Sequence, residues 1–229
     1  MFQPRRLLFS LASLIIMVAA ANVTRADTIN IVGVDSGQYS TATVVCEFNA
    51  QTNTFTFTIT NTSAITTPGS TSTITAIGFD LPPRGNASDS GLNGFTGMQA
   101  PSLSANFAFS DGSLGTVPHG FGSPPPVVLD FGFITGNSGN FGSGQVEDGL
   151  LPGESASFTV SGAAFAGFTE EQICNAIFVR FQNVPLEGRS EGSDVATVQA
   201  VPEPTTMLLL GTGLLGVAGA ARRKLKARR

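Results

Sequence analysis

Seven residues at 54–60 read TFTFTIT, an unbroken alternation of threonine with apolar side chains. Side chains two apart on a β-strand share a face, so Phe55, Phe57 and Ile59 line one side and Thr54, Thr56, Thr58 and Thr60 the other. No helix brings residues i, i+2 and i+4 together, so this stretch is a strand. With one apolar and one polar face, it belongs in an antiparallel sheet that covers a core on one side and meets water on the other. The threonine row suits the solvent face of any strand, and it also offers a flat surface for recognition.

The same period recurs. ATVVCEF (42–48) is expected to pair with TFTFTIT through the turn-forming NAQTN (49–53). INIVGV from Ile29, STITAIGFDL from Ser72, SANFAF from Ser104, PVVLDFGF from Pro126, SASFTV from Ser155, NAIFVRF from Asn175 and VATVQA from Val195 complete nine candidate strands, most of them separated by Gly- or Pro-rich turns. Many short strands with almost no helical period predict an all-β domain, a β-sandwich or jelly roll. One helical signal stands out. In FTEEQIC, Thr169 and Gln172 have capping-box spacing, which predicts one or two turns before Cys174. Residues 112–153 are glycine-rich and read as long surface loops with phenylalanines tucked beneath them.

Charge divides the chain into three. Nine of the twelve basic residues lie at the two ends, leaving Arg84, Arg180 and Arg189 against all sixteen acids in residues 27–203, a formal charge of −13. Such a surface is repelled by phosphate backbones, so nucleic acid is not an expected partner. At the front, Arg5 and Arg6 precede a fifteen-residue apolar run (7–21), followed by small residues in AAANVTRA. This is the order of a signal peptide for Sec-type export, cleaved after Ala21 or Ala26. Residues 27–200 are then the exported domain. Export makes its only two cysteines, Cys46 and Cys174, a candidate disulfide. A bridge closing 128 residues is worth up to about 5 kcal/mol on chain entropy and would tie the helix to an early strand.

Candidate chemistry is sparse. His119 is the only histidine and lies in the turn-like TVPHGFG, where a solvated loop residue suffices. A triad needs an oriented base beside a nucleophile, and cysteines held in a disulfide are lost as metal ligands. Glu170 with Glu171, and Glu147 with Asp148, are adjacent acids, but glycoside hydrolysis needs carboxylates facing each other across a cleft. The first pair is accounted for by the helix dipole at a capped N-terminus. Sugar stacking has no tryptophan and one tyrosine, Tyr39, to work with. No loop has calcium-loop spacing. The chain is therefore expected not to be an enzyme and to hold no catalytic residue, no resident cofactor and no metal site.

The chain closes with VPEPTTMLLLGTGLLGVAGAARRKLKARR from Val201 to Arg229. Residues 205–221 would make about 25 Å of apolar helix, a marginal membrane span. The cluster Arg222, Arg223, Lys224, Lys226, Arg228 and Arg229 stops it on the cytoplasmic side. Pro202 and Pro204 keep the helix from extending into the domain and hold Glu203 on an extended stub, the form a processing enzyme can bind.

This tail closely resembles the PEP-CTERM sorting signal: Val-Pro-Glu-Pro, a short glycine-containing membrane helix and a terminal basic cluster, paired with a signal peptide at the other end. The resemblance implies that Pro202, Glu203 and Pro204 are recognised by exosortase, an integral-membrane enzyme of Gram-negative bacteria that make exopolysaccharide. It implies a transient stay in the inner membrane, removal of the tail, and release to the cell surface or extracellular matrix. ITAIGFDLP from Ile74, GLLPGESASFTVSG from Gly149 and FVRFQNV from Phe178 are similar to stretches in passengers of such signals and carry over no active site. A matrix protein associated with exopolysaccharide or biofilm is the reading this favours. A glycan- or protein-binding module using the Gly-rich loops, or a permanently membrane-anchored protein, are the alternatives. Contact between so acidic a domain and an acidic polysaccharide would need a divalent cation such as Ca2+ as a bridge.

Overall fold

The computed structural model describes residues 27–65, 71–83, 92–102, 105–112, 114–117, 127–136, 139–186 and 189–198. The chain divides into two units, Met1–Val198 and Gln199–Arg229, and every described residue lies in the first. The signal peptide (1–26), the membrane helix (205–221), the sorting residues Pro202, Glu203 and Pro204, the basic cluster from Arg222 to Arg229, and His119 all lie outside the described residues. Among the described residues no helix is long and apolar enough to cross a membrane.

Ten antiparallel strands form one sheet: β1 (Asp27–Gly33), β2 (Gly37–Asn49), β3 (Thr54–Asn61), β4 (Thr73–Phe79), β5 (Thr96–Gln99), β6 (Phe107–Asp111), β7 (Phe131–Thr135), β8 (Ser155–Ser161), β9 (Ile177–Leu186) and β10 (Arg189–Val198). Their spatial order is β5-β8-β3-β2-β1-β10-β9-β4-β7-β6. The two outermost strands, β5 and β6, run beside each other, so the sheet is nearly closed into a barrel. The all-β expectation holds. The finer expectation of a sandwich or jelly roll gives way to this single continuous sheet. Alternation reports that one face of a strand is buried, and a curled sheet satisfies that as well as two facing ones do.

The β2–β3 hairpin forms at the expected place. The Asn49 side-chain oxygen accepts from the amides of Gln51 (3.0 Å) and Thr52 (3.2 Å), and Asn53 takes the positive φ, 48°, that the turn requires. Phe55, Phe57 and Ile59 point inward into the largest cluster, beside Phe79, Phe131, Phe133, Phe158 and Phe181. The rings pack in edge, tilted and stacked contacts, such as Phe57 to Phe79 at 5.2 Å (edge), Phe133 to Phe158 at 4.5 Å (tilted) and Phe79 to Phe131 at 4.8 Å (stacked) between centroids. A second cluster of Ala76, Leu114, Val117, Leu129, Ile134, Phe141 and Val195 also contributes to the core, so β4 and β7 are buried at every residue. The glycine-rich region thus contributes more than loops: it supplies the strand β7, with Phe131 and Phe133 in the main cluster, and the buried Leu114, Leu129 and Phe141 that pack in the second.

β1 and β10 are neighbours, with Ile31 opposite Val198, so the domain's first and last strands leave it on the same side. That side also holds the end of β2, since Asp27 pairs with Cys46.

Candidate functional site

The predicted helix, α1 (Glu170–Cys174), starts as its capping box dictates. The Thr169 hydroxyl accepts from the Gln172 amide at 3.2 Å, and the Thr169 amide donates to the Gln172 side-chain oxygen at 3.0 Å. A helix of five residues has little stability of its own, and two tertiary ties hold it. Cys174 forms a disulfide with Cys46 on β2, Cα atoms 6.3 Å apart, and the Glu170 carboxylate accepts from the Phe48 amide at 2.7 Å. Just before it, a 3-10 turn at Ala163–Phe165 lays Phe165 against Phe48, Phe55, Phe95 and Phe131. Turn and helix together cover the inner cluster near the last residues of β2, on the side where both ends of the domain emerge.

Beside this cover lie two adjoining cavities of about 460 Å³ and about 370 Å³, which share Pro82, Pro83 and Gln172. The first is bordered by the polar groups of Asp80, Glu171, Gln172 and Asn175, the second by Phe168 and the turn at Ala166 and Gly167. Acceptors, amide donors and proline rings on a shallow groove suit a polyhydroxylated or cationic ligand better than an anion. Phe168 supplies an aromatic side chain, though it is mostly buried.

Buried carboxylates elsewhere organise backbone. Asp130, 1% exposed, accepts from the amides of Leu81 (2.7 Å) and Leu92, holding the chain on both sides of residues 84–91. Asp194 accepts from the amides of Asp35 (3.2 Å) and Ser36 (3.0 Å) and from the Ser36 hydroxyl, fixing the β1–β2 turn. Arg180 is half-buried on β9. Its Nη1 donates to the Phe141 carbonyl at 3.3 Å, and desolvation pushes the guanidinium below its ordinary pKa. Sequence reasoning missed the roles of Asp130 and Asp194, because an isolated buried polar residue has no period to betray it.

The other residues singled out in the sequence separate. Glu147 and Asp148 sit on a 3-10 turn (Val146–Asp148), and the Asp148 carbonyl, not its carboxylate, accepts from the Asn106 amide. Tyr39 is partly buried against the main cluster. The threonine row faces out and is doubled by β8: Thr54, Thr56, Thr58 and Thr60 stand opposite Ser161, Thr159, Ser157 and Ser155. Thr58 with Ser157 (2.7 Å) and Thr60 with Ser155 (2.8 Å) are hydrogen-bonded to each other. Among the described residues no group of three or more His, Cys, Asp or Glu is placed to hold a metal ion.

The described part of the chain is thus a disulfide-stapled all-β domain, a single sheet nearly closed into a barrel, with a groove on one side. A family model for the PEP-CTERM protein-sorting motif matches residues 200–224, which span Pro202, Glu203, Pro204 and the first three basic residues of the cluster. The chain carries a PEP-CTERM sorting signal, which marks it for exosortase, implying export and processing at the membrane. Comparison with curated proteins and with solved structures returned no match.

Proposed function

We propose that the chain is a non-enzymatic protein of the cell surface or extracellular matrix, exported by a signal peptide, severed at its sorting signal by exosortase and retained among exopolysaccharide in the biofilm. The motif at 200–224 carries this reading. The compact, disulfide-bonded domain supports it, because the cross-link suits an oxidising exterior. Retention runs through divalent cations, Ca2+ among them, bridging the acidic domain to an acidic polymer.

Mass spectrometry of the C-terminus in the surface fraction tests the processing. A terminus near Glu203 is expected, and Glu203→Ala is expected to leave the tail attached and the protein in the membrane. An intact Arg229 peptide on the surface protein would instead make it permanently anchored and end the proposal. Retention in an anionic matrix is expected to fall when a chelator is added; equal retention would remove the cation bridge.

A second reading, a glycan-binding module, is favoured by the groove at Pro82 and Pro83, whose polar border fits neutral sugar hydroxyls. A glycan array probed with the mature domain in calcium tests it, and a blank array would discard it.

A further inference from the structure

The two edges of the sheet meet along β5 and β6, and among the described residues no strand ladder joins them. Side chains hold the seam. Toward one end the Gln99 carboxamide reaches across from β5, its Nε2 donating to the Ala105 carbonyl at 2.9 Å and its Oε1 accepting from the Phe107 amide at 2.7 Å. Toward the other end the Asp111 carboxylate, last residue of β6, accepts from the amides of Gly94 at 2.9 Å and Phe95 at 3.3 Å, just ahead of β5. Between the two clamps the Phe109 ring lies over Gly97 and occupies the place a Cβ would take. The clamps stand about 13 Å apart, taking four residues of strand rise.

We propose that this seam is a built-in opening line, along which β5 and β6 part as one cooperative unit while the rest of the barrel stays closed. Every other neighbouring pair of strands is joined by a ladder. Among the described residues the seam is instead spanned by these four side-chain bonds and the Phe109 ring over Gly97. Among the described strands β5 is also the shortest, four residues laddered to β8 alone. Once one clamp releases, β5 pivots on β8, the ring loses its seat on Gly97, and the far clamp loses its alignment. Low-stability units of this kind open well below the cost of global unfolding. The disulfide lies elsewhere, between β2 and α1, and does not restrain the seam. Opening gives the exported domain a reversible way to expose Phe109 and two strand edges, which a closed barrel lacks.

Amide hydrogen exchange by NMR on the mature, disulfide-bonded protein tests this. Gln99→Met keeps the side-chain volume and removes only the Gln99 clamp. It is expected to speed exchange about ten-fold or more at Phe107, and also at Gly94 and Phe95 on the opposite clamp, while Phe57 and Ile59 on β3 stay within about two-fold. Acceleration confined to Phe107 would reduce the seam to separate local contacts. Acceleration spread equally to Phe57 and Ile59 would make the effect global. Either overturns the proposal. Gly97→Ala displaces the ring without touching either clamp, so it must accelerate the same three amides; unchanged exchange there is equally fatal.

Discussion

Asn61, the last residue of β3, is completely buried, and its carboxamide is fully committed. Nδ2 donates to the carbonyls of Ser72 and Leu150, both at 2.8 Å, and Oδ1 accepts from the Ser63 amide at 3.1 Å. One side chain thus ties β3 to the approach to β4 and to the segment before β8. Asn61→Ala is expected to cost about 2–4 kcal/mol in urea denaturation, because it strands polar groups in a dry site. Asn61→Asp is expected to be worse at neutral pH, since it loses both donors and aims negative charge at two carbonyl oxygens. An aspartate variant as stable as the native protein would show that these carbonyls find other donors. Nothing in the sequence marks Asn61, since a polar residue ending an alternating strand reads equally well as the start of a turn.

At the scale of elements, the cover made by the Ala163–Phe165 turn and α1 was half legible. The capping box and the cysteine pair predict a short helix tied to an early strand, and both features form as expected. The Glu170 bond to the Phe48 amide was not legible, because helix-dipole logic already accounts for the acid. Replacing Cys46 and Cys174 together with alanine is expected to cost about 2–5 kcal/mol, read as a lower denaturation midpoint relative to the oxidised protein. Phe165→Ala is expected to cost about 3–5 kcal/mol, since it empties a site walled by four other rings. A change below about 1 kcal/mol would show that the turn collapses into the space. β5 escaped sequence reading altogether. Four residues with a glycine second and an exposed Met98 carry too little period to separate from loop.

For the molecule as a whole, the neighbouring positions of β1 and β10 have a direct test. From Val198 back to the level of Asp27 is about 14 Å of strand, so a linker of about six to eight residues should join the ends in a circular permutant of the domain. Opened in the Asn49–Asn53 turn, such a permutant is expected to fold, with a midpoint close to that of residues 27–198 in native order. Failure to fold would count against β1 and β10 as neighbours. The order β5-β8-β3 is mostly non-local, so folding is expected on the millisecond-to-second scale of β-topologies, measurable by stopped-flow refolding of the oxidised protein.

The sequence by itself determined the all-β class, the β2–β3 hairpin, the capped helix, the cysteine pair and the sorting signal. Each rests on residues close in the chain, on a short period, or on an even cysteine count in an exported protein. Tertiary structure alone decided that the strands join in one curled sheet, that β4 and β7 are buried on both faces, and that β5 and β6 meet without a ladder. It also placed the groove at Pro82 and Pro83 beside the helix. Strand order and closure depend on which distant edges find each other, and alternation records only which side of each strand avoids water.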